Sequence, residues 1–158
     1  MKILLVEDSS FLRAAIAKAL TRAGHNVTGV GDGRKVLLAA CVSAPDIILL
    51  DMMLPGLDGL GVMKELKGNL STERTPIIVL TGLSQKNESR LKKSGAAAFF
   101  EKDALDLENG ATALLVAIDT VMGTSLQGKP LPPLSGAQAQ PDPAPKTTLA
   151  VEGTERPL

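Results

Sequence analysis

A chain of 158 residues, 44% of them apolar, has the size of one domain with a real buried core. Its 17 basic and 17 acidic residues cancel, so no bulk field draws it to nucleic acid or to an anionic membrane, and neither is expected as a partner. The one cysteine, Cys41, excludes an internal disulfide, fits a reducing compartment, and reads as a small core residue in an apolar helical run.

Taken in order, the chain alternates short apolar runs with longer helical patterns. The first run, 3–6, starts directly after Met1-Lys2 and ends on Glu7 and Asp8. It is too brief for a signal peptide and far short of the ~20 apolar residues that cross a bilayer, so a cytoplasmic location is expected. Ser9 or Ser10 can cap the helix that follows, whose inner stripe reads Phe11, Leu12, Ala15, Ile16, Ala19 and Leu20. Gly24 closes that helix, with His25 as a surface residue beside the negative end of the dipole. The second strand, 26–30, is short, carries Gly29 and reads as an edge. Gly31-Asp32-Gly33 turns the chain into a helix with Val36, Leu37, Ala40 and Cys41 inward.

Next come Ile47-Ile48-Leu49-Leu50, four apolar residues that stop on Asp51, a strand buried on both faces. Pro55, Gly56 and Gly59 turn the chain into a third helix over 60–67. The fourth strand, Ile77-Ile78-Val79-Leu80, runs out onto Thr81-Gly82. A strongly polar helix over 84–94 follows, one that covers a sheet poorly. Gly95 ends it, a fifth strand occupies 96–100, and the chain leaves through Glu101 and Lys102. The last helix starts near Ala111, with Leu114, Leu115, Ile118 and Val121 inward. Beyond Gly123 lie seven of the ten prolines and no apolar periodicity, so 1–123 reads as the domain and 124–158 as a linker or disordered tail.

Strand and helix repeated five times imply a doubly wound α/β fold, a parallel five-stranded sheet with five helices in the flavodoxin-like order 2-1-3-4-5. Under that order Glu7, Asp8, Asp51, Thr81 and Lys102 collect at the carboxyl edge of the sheet. Three carboxylates so close repel one another unless a hard cation such as Mg²⁺ joins them. A lysine and a threonine opposite would complement an incoming phosphoryl group, with Asp51 as nucleophile.

The pieces Leu4-Leu5-Val6-Glu7-Asp8, Asp51 through Gly59, Val79-Leu80-Thr81-Gly82, and Gly95-Ala96 leading to Lys102 resemble the receiver domain of two-component response regulators, of the single-domain, chemotaxis-regulator kind. The resemblance implies that Asp51 accepts a phosphoryl group from a histidine kinase or phosphotransfer protein. It also implies that Asp8, Asp51 and the backbone carbonyl of Met53 bind Mg²⁺, with Glu7 helping through water. Thr81 and Lys102 would contact the phosphoryl oxygens, and Phe99 would rotate inward as Thr81 moves. The output would be a downstream protein target on the face made by the fourth helix, the fifth strand and the last helix. No output domain follows, so a stand-alone receiver, or one cut from a longer chain, is expected.

Two places depart from the family pattern: Asp103 stands where a proline usually follows the lysine, and 104–110 is longer and less helical than usual. Two rival readings are an aspartyl-phosphate hydrolase and a degenerate receiver acting as a scaffold. Met53 stands where such a hydrolase carries its second aspartate, and no member of the acidic, threonine and lysine set is missing.

Overall fold

Strands without a polar interruption are stable only where helices cover both faces of the sheet, and the three strongest apolar runs lie at its centre. The computed structural model describes residues 1–82 and 93–125; most of the expected helix over 84–94 and residues 126–158 lie outside the described residues. The strands are β1 (Lys2–Val6), β2 (Asn26–Val30), β3 (Ile47–Asp51), β4 (Ile77–Thr81) and β5 (Ala98–Glu101), and the described helices are α1 (Ser10–Arg22), α2 (Val36–Ser43), α3 (Gly59–Lys67) and α4 (Thr112–Ser125). All strand pairings are parallel, in the order β2-β1-β3-β4-β5. This is the flavodoxin-like sheet expected from the sequence.

Alternation along each strand divides the core into two layers. Ile3, Leu5, Ile47, Leu49, Ile78, Leu80 and Phe100 pack with α1 and α4, while Leu4, Val6, Ile48, Leu50, Ile77 and Val79 pack with α2 and α3. On α4, Leu114, Ile118 and Val121 are buried as expected and Leu115 partly so. Edge strand β2 is half exposed along its length. No helix among the described residues is long and apolar enough to cross a membrane.

Local chemistry sets the helix ends. Ser9, not Ser10, caps α1, its side chain accepting from Leu12 N, a contact worth about 1 kcal/mol. Gly24, at φ 88°, lets the chain leave α1 in the left-handed region that glycine tolerates. A 3-10 turn, Gly33–Lys35, precedes α2, and another, Lys102–Ala104, follows β5.

Two inward assignments need correction. Phe11 is 81% exposed and Cys41 is exposed, although both were expected in the core. Each lies five residues from a fully buried residue, Ile16 and Val36 respectively. At about 100° per residue that is roughly 140° round the helix, and the side chain faces water. His25, expected on the surface, is half-buried.

Candidate functional site

The parallel register places the site. Val6 stands opposite Leu50 and Asp51 opposite Leu80, so β1, β3 and β4 end on one edge and the residues at those ends converge. Glu7, Asp8 and Asp51 each bring one carboxylate oxygen into a cluster in which all three lie within 4.8 Å of one another. Their burial differs sharply. Glu7 and Asp51 are 1% and 2% exposed, whereas Asp8 is open to solvent.

Main-chain donors fix these acids. The amide of Ser9 donates to Asp8 Oδ1 at 2.8 Å and to Glu7 Oε1 at 3.2 Å, and the amide of Met53 donates to Asp51 Oδ1 at 3.1 Å. Behind Asp51 the β3–α3 loop closes on itself through Gly59, whose amide donates to the Met52 carbonyl at 3.2 Å. A Cβ at Gly59 would lie 2.6 Å from Met52 Cα and 2.9 Å from the Asp51 carbonyl oxygen, so only glycine lets the loop fold this tightly there.

Lys102 enters from the other side, at the start of the 3-10 turn after β5. Its Nζ lies 2.7 Å from Glu7 Oε2 and 2.8 Å from Asp51 Oδ2, spanning the two buried carboxylates. All peptide bonds of the described residues are trans, that between Lys102 and Asp103 included. Burial raises the pKa of Glu7, an effect offset in part by the Lys102 hydrogen bond and reinforced by the charge of Asp51. Burial of Lys102 by itself would lower its pKa, but its hydrogen bonds to Asp51 and Glu7 more than reverse this, and the ammonium form is favoured.

With all groups ionised, three carboxylates against one ammonium leave two negative charges around an all-oxygen donor set. That composition suits Mg²⁺, and the exposed Asp8 leaves an approach for a hydrated ion. Of the other residues expected here, Thr81 ends β4, buried and in register with Glu101. Phe99 lies opposite Val79 and packs, partly buried, against the α2–α3 layer. Met53 presents its amide to Asp51 while its side chain is exposed.

A model of the response regulator receiver domain matches residues 3–114. The chain belongs to the response regulator receiver family. Response regulator PleD of Caulobacter vibrioides is 30% identical over 162 residues, which take in 98% of this chain and 36% of that protein. The receiver thus spans about a third of that regulator. Among solved structures, the receiver domain of sensor histidine kinase PA1611 from Pseudomonas aeruginosa carries a magnesium ion in its active-site cleft. It is 29% identical, with a TM-score of 0.68 over 77% of this chain and 97% of that one. Chemotaxis response regulator CheY4 of Vibrio cholerae is likewise 29% identical, with a TM-score of 0.67 over 76% of this chain and 97% of that one.

Two contacts of this receiver site were not foreseen in its sequence. The Ser9 amide holds two acids at once, although Ser9 was read only as a helix cap. Arg13, on α1, donates from Nη1 to the carbonyl of Glu7 at 2.6 Å and to that of Asp8 at 3.2 Å. The available signal was a cation near a helix N-terminus, where the dipole disfavours positive charge.

Proposed function

We propose that this receiver accepts a phosphoryl group on Asp51 from a histidine kinase or phosphotransfer protein in the cytoplasm, and that the phosphorylated form switches binding to a partner protein. The observation that carries the reading is Asp51 itself: a buried carboxylate at a strand end, one oxygen on the Met53 amide and the other 2.8 Å from Lys102, with Glu7 and Asp8 beside it. Asp8, Asp51 and the Met53 carbonyl would hold Mg²⁺, with Glu7 acting through water. When bound, the ion neutralises the charge that develops on the phosphoryl oxygens.

In the transfer an Asp51 carboxylate oxygen forms the new bond to phosphorus. The bond from phosphorus to the donor's imidazole nitrogen breaks, and the nitrogen keeps the electron pair. Lys102 shifts its ammonium from the Asp51 oxygen to a phosphoryl oxygen, and the Thr81 hydroxyl donates to another. The product carries about two negative charges on the phosphoryl group at neutral pH, in place of the single charge of the Asp51 carboxylate, and these favour an inward position of Thr81 and of Phe99 behind it. The output face is the one that carries β5 and α4, the expected helix over 84–94 lying mostly outside the described residues, and the receiver unit is 1–123. No turnover of outside substrates is proposed.

Incubation of the full chain with a small phosphodonor should add one phosphoryl group in the presence of Mg²⁺ and none in its absence, read by intact mass. No mass gain with Mg²⁺ present, or a modification mapping away from Asp51, would overturn the assignment.

A further inference from the structure

We propose that Arg13 is a positioning residue for the acidic pair, and that edge strand β2 and the turn after it carry Gly29 and Gly31 in order to admit it. The inference rests on the metal reading proposed above. From the first turns of α1 the Arg13 guanidinium reaches back to the end of β1, where Nη1 bonds the carbonyl oxygens of both Glu7 and Asp8. The β1–β2 ladder gives its last bond here, from the Glu7 amide to the Val30 carbonyl, and Arg13 takes the next acceptor, the Glu7 carbonyl. A charged donor shared by two successive carbonyls fixes the peptide planes from which both acidic side chains leave.

The two glycines supply the second, independent observation. Glycine is a poor strand residue and often marks a close approach of other atoms. Neither Gly29 nor Gly31 has a left-handed φ, so their reason is room rather than backbone freedom. A Cβ at Gly31 would lie 2.7 Å from Arg13 Nη1, and one at Gly29 would lie 3.2 Å from Arg13 Cδ. The guanidinium and its stem therefore occupy the volume that those two side chains would fill. Both glycines lie on β2 or just past it, and a Cβ at Gly31 would meet the Glu7 carbonyl oxygen only at 3.6 Å, an ordinary contact distance, so its clash is with Arg13.

The sign of the metal effect separates positioning from charge. A nearby guanidinium repels a divalent cation, so deleting it would tighten Mg²⁺ binding if charge were its only influence. Positioning predicts the reverse. Mg²⁺ affinity by calorimetry on the full chain should weaken about 10-fold in Arg13→Ala, the size expected for groups that orient metal ligands. Gly31→Ala, which leaves every charge in place and pushes the guanidinium aside, should weaken it several-fold, yet change nothing further when added to Arg13→Ala. Phosphorylation from a small donor should return toward the wild-type rate at saturating Mg²⁺ in both variants. Unchanged or tighter Mg²⁺ binding in Arg13→Ala overturns the proposal, as does a Gly31→Ala effect that persists without Arg13. Metal-free amide shifts of Glu7, Asp8 and Ser9 are the parallel reading: they should move alike in Arg13→Ala and Gly31→Ala, and wild-type shifts in both would overturn it. If the wild type itself binds no Mg²⁺, the metal reading falls and Arg13 is still judged on those shifts. Should Arg13→Ala not fold, Arg13→Lys, which keeps the charge and loses the fork, takes its place.

Discussion

The acidic and the basic halves of this site are built in opposite ways. Glu7, Asp8 and Asp51 are tied to main-chain donors of their own neighbourhood, the amides of Ser9 and Met53. Lys102 leaves a 3-10 turn that has no side-chain cap, and among the described residues its ion-pair partners are Glu7 and Asp51 alone. The acids are placed by the backbone and the lysine is placed by the acids. A reacting group that must move from one oxygen to another is better held by charge than by a rigid frame, whereas groups that share a cation need fixed spacing.

The largest break comes from Asp51→Asn, which should abolish phosphoryl acceptance outright and remove one of the two anchors of Lys102. Intact-mass labelling checks the first effect; continued labelling would show the nucleophile misassigned. Next is Asp8→Ala. Changes outside the ligand set already weaken metals 10–100-fold, so losing a direct ligand should weaken Mg²⁺ by about 100-fold or more. Asp8 does not touch Lys102, so metal-free stability should rise as repulsion falls, and equal Mg²⁺ titrations of mutant and wild type would contradict this.

Lys102→Met tests the asymmetry directly. It leaves two buried carboxylates unpaired and should destabilise the metal-free protein by about 2 kcal/mol, discounted for the partial exposure of the lysine. The amides of Ser9 and Met53 should nevertheless keep their chemical shifts. Large shifts there would mean that the lysine also places the acids.

The smallest effect is in pH. The raised pKa of Glu7 means that the folded metal-free protein holds this proton more tightly than the unfolded chain does. Its contribution is complete below the unfolded value of 4.5 and is lost as pH rises from there through the folded value. Lys102, raised from 10.5, contributes below that value and loses it as pH rises through its own folded value. The difference between wild-type and Glu7→Gln unfolding curves should show a slope just above pH 4.5; a flat difference would mean that the proton is held elsewhere.

Much of this was written in the sequence for a simple reason. Strands covered on both faces spell uninterrupted apolar runs, and the residues that end those runs, Glu7, Asp8, Asp51 and Thr81, are visible as sudden polarity. Helical stripes are less exact, since an apolar residue one position out of phase still looks inward, as Phe11 and Cys41 did. The opposite burial of the adjacent Glu7 and Asp8 depends on how the chain turns after Val6 and has no local signature. Arg13 was harder still. The room it occupies is left by Gly29 on β2 and Gly31 just past it, which the register of β1 with β2 brings beside the end of β1.

The outward side of α2 has a practical consequence. With no tryptophan and no tyrosine, the protein is almost dark to intrinsic fluorescence. Cys41 is its single thiol and stands exposed on that helix. A maleimide dye would therefore attach at one known position without mutagenesis, and would give an optical signal for partner docking against no background from the rest of the chain.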